Sequence, residues 1–127
     1  MAEADLARDE LQVKQSQIRL AQLQNQARLE VEDATIAMRR ARASYQAAVE
    51  ARRLQQESLE AEQLKFEVGS STAFFVIQYE SLVAQAKSTE VAAQSSYVKA
   101  RAALQRATGT ILNQNHISFD AAVKGKM

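Results

Sequence analysis

The sequence lacks proline, cysteine and tryptophan, and its 127 residues include only three glycines. Because proline is absent, no residue of the chain breaks a helix in the way that a proline ring does. The absence of cysteine excludes disulfide bonds and thiol chemistry, but it fits a reducing or an oxidising compartment equally well. Aromatic residues make up only 6% of the chain, which is too little bulk for a closed globular core. We therefore expect an elongated molecule stabilised by contacts between helices.

The chain also has no excess of charge of one sign and no long apolar run. Its 16 basic and 15 acidic residues are scattered and give a net charge of +1, so no basic patch is available for nucleic acid. The N-terminus lacks the basic and apolar regions of a signal peptide, and no stretch approaches the roughly 20 apolar residues that span a bilayer. We expect neither nucleic-acid binding nor direct membrane insertion by this chain.

The sequence does contain two long segments with a heptad pattern. They predict an all-α fold, a long antiparallel two-helix coiled-coil hairpin with one helix over about 4–68 and another over about 72–108. Gly69, followed by hydroxyl residues, marks the tip at 69–71, because glycine ends helices and hydroxyl residues begin them. Gly109 is expected to end the second helix in the left-handed conformation.

This pattern divides the chain into a hairpin over residues 1–110 and a tail over residues 111–127. The tail is too short and too mixed in polarity for a structural prediction, and its last residues, 124–127, are expected to be disordered.

Apolar and small residues recur at steps of three and four along both segments, as they do at the contact between two coiled-coil helices. We call this contact the hairpin seam. Folding the chain back about Gly69 sets Tyr45 against Ala93 and Ala41 against Tyr97, so that large residues face small ones. The predicted members of the hairpin seam are Val31, Ala34, Met38, Ala41, Tyr45, Ala48, Ala93, Tyr97, Ala100, Leu104 and Ala107.

One pair of charged residues interrupts this apolar pattern. Arg52 and Glu90 both occupy seam positions and lie diagonally across adjacent layers, which predicts an ion pair. The alternative is that both side chains extend outward to water.

Each helix carries a second weakly apolar stripe away from the hairpin seam. An isolated hairpin needs one seam only, so a second stripe predicts neighbours on both sides, as in a curved wall of helices. The alternative is that alanine-rich faces look apolar by composition alone. The stripe comprises Leu29, Ile36, Ala43, Ala47, Leu54, Ala61, Leu64 and Val68 on the first helix and Ile77, Ala84, Val91, Val98 and Ala102 on the second.

No combination of residues suited to catalysis or to metal binding is recognisable. The single histidine, His116, lies in the tail without ligands at suitable spacing and is interpreted as a surface residue. Ser70 and Ser71 flank a glycine, but they lack the strand–turn–helix context and the base that a nucleophile needs, so helix capping and tip contacts are the better interpretation. We predict no enzymatic activity, no metal and no cofactor.

The tip and the end of the second helix carry a recognisable pattern. Around the turn, a basic residue, an aromatic residue, a glycine, a threonine and an aliphatic pair recur at fixed spacing as Lys65, Phe66, Gly69, Thr72, Val76 and Ile77. Farther on, a tyrosine is followed by alanines and a leucine and ends at a glycine, as Tyr97, Ala100, Ala103, Leu104, Ala107, Thr108 and Gly109. Over residues 6–119 the chain resembles the second helical repeat of the TolC-like outer-membrane efflux proteins.

This resemblance implies one periplasmic hairpin of a trimeric channel that exports small molecules or proteins. Such a channel has a β-barrel in the outer membrane and an α-helical barrel in the periplasm, and its hairpins associate side by side. The tip would dock a periplasmic adaptor (membrane fusion) protein and take part in channel opening. The implied docking residues are Lys65, Phe66, Val68, Gly69, Ser70, Ser71 and Thr72.

The chain departs from the family pattern at several positions near the tip. Many members have an aspartate where this chain has Phe75. Some members lock the closed tip with polar links, and Phe66 and Ser71 cannot supply charged ones. A lock of that kind would need Lys65, Glu67 or another subunit.

Two alternatives remain open at this stage. Adaptor proteins also project a long antiparallel hairpin, but theirs interrupts a lipoyl-like β domain, whereas the helices here continue into a tail without that pattern. A cytosolic coiled-coil scaffold would explain the heptads but neither the tip motif nor the second stripes.

Overall fold

The computed structural model describes residues 1–110 and residue 125, and within them the chain forms two long α-helices. Helix α1 comprises Ala2–Glu67 and helix α2 comprises Ala73–Ala107. At a rise of 1.5 Å per residue they are about 100 Å and about 52 Å long. The predicted all-α hairpin is confirmed. The tail predicted over 111–127, including its expected disorder, lies outside the described residues except for residue 125.

The two helices run antiparallel along a shared contact. Tyr45 on α1 stacks on Tyr97 of α2, and farther toward the turn Arg52 pairs with Glu90. Residue numbers thus rise on α1 as they fall on α2, which is the arrangement that a five-residue connection between two helices favours.

The core of the hairpin is the seam itself. Each of the predicted seam residues is buried or half-buried, whereas the residues between them are mostly exposed. The most buried apolar side chains are Ala48, Leu59 and Val83, with 8%, 7% and 4% of their surface exposed. Because only these three apolar residues are buried among the described residues, each of them carries a large share of the hydrophobic stabilisation.

The two seam tyrosines, one on each helix, contact each other. The sequence predicts that each faces an alanine, and in addition their rings stack with centroids 6.2 Å apart and planes 5° from parallel. The rings therefore meet diagonally across neighbouring layers of the seam. An aromatic pair of this kind adds to the stability beyond the area that it buries.

Helix α1 extends well past the end of α2. Every residue from 1 to 30 is exposed, and the first residue with reduced exposure is Val31, near the level at which α2 ends. Within residues 1–110, about 43 Å of α1 has no helix beside it. None of the helices in the described part of the chain is long and apolar enough to cross a membrane.

Candidate functional site

The hairpin tip is built by a glycine that ends α1. Gly69 has a φ of 82°, and its amide donates to the carbonyl of Phe66 over 3.1 Å while the amide of Ser70 donates to Lys65 over 2.7 Å. This pair of hydrogen bonds is a Schellman motif, which satisfies carbonyls at the end of a helix. The same arrangement recurs at the end of α2, where Gly109 has a φ of 71°.

The chain enters α2 through an extended residue. Thr72 is the N-cap, with φ −119° and ψ 156°, and its side chain makes no capping hydrogen bond. Helix capping was one of the roles expected for Ser70 and Ser71, and the structure gives neither serine that position. In Ser71 the hydroxyl instead points back to α1.

A buried carboxylate connects the turn to α1. Ser71 Oγ donates a hydrogen bond to Glu62 Oε1, and Lys65 Nζ lies 3.5 Å from Glu62 Oε2. Glu62 is only 8% exposed, so both of its oxygens are engaged where water has little access. A hydrogen bond to a charged group stabilises more than one between neutral groups. The turn is therefore fixed to the last two turns of α1.

Sequence reasoning did not single out Glu62. The sequence predicts that a lock at the tip would come from Lys65, Glu67 or another subunit, because Ser71 supplies no charge. The seam register did contain the signal, since Glu62 follows Leu59 by three residues in the same row. A carboxylate in the last layer before the turn is close to any hydroxyl in that turn.

Around this carboxylate the tip has a shallow open depression of about 430 Å³. Its surface combines one ammonium group, hydroxyl groups, a glycine backbone and two aromatic rings. The residues that line it are Glu62, Lys65, Gly69, Ser70, Ser71, Thr72, Phe75 and Tyr79.

The outside of the tip is apolar. Val68 is 76% exposed and Phe74 is 65% exposed, and the rings of Phe74 and Phe75 meet edge to face at 5.8 Å. Phe66 is also exposed. Three of the four phenylalanines of the chain thus lie at the tip. A group of exposed aromatic side chains around a polar depression is typical of a surface that contacts another protein.

Lower on the hairpin, Arg52 Nε donates to a carboxylate oxygen of Glu90. The side chains of Arg52 and Glu90 are 35% and 19% exposed, so the pair lies at the edge of the hairpin seam. The structure thus brings together the two charged residues that interrupt the seam pattern.

Within residues 1–110, no group of three or more histidine, cysteine or acidic side chains could hold a metal ion. His116, interpreted as a surface residue, lies outside the described residues. Comparisons with protein-family models, with curated proteins and with solved structures find no match.

Replacing Ser71 with alanine is expected to lower the free energy of unfolding by about 1–2 kcal/mol, because Glu62 loses one of its partners at a buried position. Urea unfolding followed by far-ultraviolet circular dichroism measures the change. Ser70→Ala is the matched control, since Ser70 is exposed and its backbone amide makes the tip hydrogen bond. Equal effects of the two substitutions would contradict a role for the Ser71 hydroxyl.

Proposed function

We propose that this chain is a periplasmic helical hairpin of a trimeric outer-membrane efflux channel and has no enzymatic activity. The observation that carries the proposal is the exposed apolar stripe on each helix, away from the hairpin seam. Its large members are between 48% and 76% exposed, namely Leu29, Ile36, Leu54, Leu64 and Val68 on α1 and Ile77, Val91 and Val98 on α2.

A closed wall of helices gives every helix two neighbours. Within the hairpin, each helix uses one side for its partner, which leaves the second stripe for a neighbouring hairpin. Contacts along such stripes would join hairpins side by side around a central channel. The alternation of apolar residues with alanine allows the backbones in this wall to approach closely.

The tip would dock the hairpin of a periplasmic adaptor protein end to end. Val68 offers an exposed apolar side chain, and the hydroxyl of Thr72 makes no capping hydrogen bond to its own helix. Gly69 has no heavy atom within 4 Å of the position that a Cβ would take, so a partner backbone can come close there. The side chain of Lys65 is 60% exposed and adds a charged contact at the edge.

Channel opening in this proposal moves whole hairpins. Because Ser71 is hydrogen-bonded to Glu62, the turn remains attached to α1 when α1 tilts. Neighbouring hairpins then slide past one another along the exposed stripes, where the alanine-rich contacts are shallow. The opened channel would pass small molecules or proteins.

The test is an export assay in the bacterium that encodes this chain. Deleting the gene is expected to sensitise cells to exported toxic compounds, and the intact gene restores resistance. Restoration should fail with Gly69→Phe, because a large side chain at the tip blocks close approach of the adaptor. Growth inhibition and intracellular accumulation of a fluorescent substrate are the two measurements.

Gly109→Phe provides a matched control for backbone strain. Gly109 has the same left-handed conformation and equally open surroundings, but it lies at the opposite end of α2. Export that survives Gly109→Phe and not Gly69→Phe supports docking at the tip. Export that is unchanged by Gly69→Phe, or a deletion without effect on export, would refute the proposal.

A further inference from the structure

One short level of the hairpin lies between two contacts of the helices. On the side toward the tip, Tyr45 stacks on Tyr97. On the other side, Ala34 and Ala103 line one shallow pocket. Because the helices are antiparallel, the stretches of α1 and α2 between these contacts lie side by side, and they comprise residues 35–44 and 98–102.

These two stretches contain five basic residues and no acidic one, which gives a net charge of +5. The five are Arg39, Arg40, Arg42, Lys99 and Arg101. All of them are exposed, and within the described part of the chain none takes part in an ion pair or a side-chain hydrogen bond. Three other arginines of α1 do pair with glutamates of the chain. The positive charge at this level is therefore not compensated from within it.

The antiparallel fold creates this local excess of charge. In the sequence, Arg42 and Lys99 lie on opposite sides of the turn, and the charges of the whole chain nearly cancel. Folding back about Gly69 brings the basic residues of the two helices to one level. Charges that are scattered in the sequence thus become concentrated in the structure.

Three of the five basic residues share one face of the hairpin. Arg42 precedes Tyr45 by three residues, and Arg101 follows Tyr97 by four. Both steps rotate by about 40–60° in the same sense. Since antiparallel helices are related by a two-fold axis perpendicular to the pair, equal rotations from the tyrosine stack lead to the same face. Arg39, three residues before Arg42, continues along that face. We call Arg39, Arg42 and Arg101 the arginine cluster.

The arginine cluster is compact along the hairpin. Counted from the tyrosine stack at 1.5 Å per residue, its three positions lie within about 5 Å of one another along the axis. Positions that flank a coiled-coil seam often carry opposite charges that attract across it. Arg42 and Arg101 carry the same charge, so they repel each other. A negatively charged ligand would remove this repulsion.

From these observations we propose that the arginine cluster binds a compact oxyanion with several negative charges, of the triphosphate type. Guanidinium groups bind phosphate oxygens through pairs of parallel hydrogen bonds. One compact anion can contact all three arginines because they lie so close along the axis. An extended nucleic-acid strand would pass the cluster after one or two phosphates. This binding site goes beyond the proposed function and does not depend on it.

Isothermal titration calorimetry of the full 127-residue chain with inorganic tripolyphosphate tests the proposal. At low salt we expect a dissociation constant below about 1 mM, which should rise steeply as salt is added. The double substitution Arg42→Gln with Arg101→Gln should weaken binding at least about tenfold. Glutamine is nearly as good a helix former as arginine, and far-ultraviolet circular dichroism checks that the variant remains folded.

The matched control is Arg40→Gln with Lys99→Gln, which removes the same charge at the same level. Arg40 lies five residues before Tyr45 and Lys99 two residues after Tyr97, so both are rotated by about 140–160° in the other sense and lie on the opposite face. This variant should weaken binding no more than about threefold. Equal weakening by the two double variants, or no binding at about 1 mM tripolyphosphate, would overturn the proposal. Tighter binding of a single-stranded oligonucleotide, per phosphate, would also overturn it, because the ligand would then be an extended chain.

Discussion

Replacing Val83 with aspartate is expected to lower the free energy of unfolding by about 3–4 kcal/mol, because it places an unpaired charge between the helices. Val83 is the most buried apolar side chain in the described structure, with 4% of its surface exposed. Native domains are stabilised by only about 5–15 kcal/mol, and a two-helix hairpin has little other core. The variant should therefore be largely unfolded near the growth temperature of the cell. Circular dichroism should show this as a marked loss of helical signal.

The matched control is Val91→Asp on the same helix. Val91 is 64% exposed, so the same chemical change there should alter the free energy of unfolding by no more than about 0.5 kcal/mol. Both variants have the same helix propensity and charge. Similar losses at the two positions would show that Val83 is not enclosed by α1, and the hairpin seam would need a different register.

Reversing the charge of Glu90 is the second large effect that we expect. Glu90→Lys removes the partner of Arg52 and places two cations at the edge of the seam, at a cost of about 2–3 kcal/mol. This figure is below that for a fully buried pair because Arg52 is 35% exposed. Exchanging the charges, with Arg52→Glu and Glu90→Lys together, should recover most of the loss. Chemical unfolding of the two single variants and the double variant measures the coupling.

An exposed pair of the same residue types provides the control. Arg53 donates to Glu50 and Glu57 on the outer face of α1. Its hydrogen bond to Glu50 lowers the pKa of that carboxyl group, but water surrounds both groups. Glu50→Lys should therefore destabilise the hairpin much less than Glu90→Lys. Failure of the exchanged pair to recover stability would indicate that Arg52 and Glu90 do not interact across the seam.

The architecture could be predicted from the sequence because local and long-range signals agree. Glycine tolerates a positive φ without a steric penalty, so Gly69 and Gly109 mark the ends of both helices before any packing is known. The heptad steps then place Tyr45 and Ala48 on the face toward α2. A chain that folds back about a known turn has one antiparallel register, which is why the proximity of Arg52 and Glu90 followed from residue numbers alone.

Side-chain conformations could not be predicted in the same way. Two tyrosines that are placed opposite alanines can each lean along the seam, and the stacked arrangement of Tyr45 and Tyr97 depends on both rotamers together. The hydroxyl of Ser71 could bond either to a backbone amide at the start of α2, as a helix cap, or to the carboxylate of Glu62. It bonds to Glu62, because a buried carboxylate without a donor costs more than an exposed amide that water can satisfy.

The seam also supplies its own optical reporter. All three tyrosines of the chain, Tyr45, Tyr79 and Tyr97, are half-buried on the seam, and there is no tryptophan to mask their emission. Tyrosine signals from this protein therefore report the contact between α1 and α2, and residues 1–44 contain no aromatic residue that would add to them. The stacked rings of Tyr45 and Tyr97 should give a coupled circular dichroism band that vanishes when the helices part. A label-free measurement can thus follow the contact between the two helices directly.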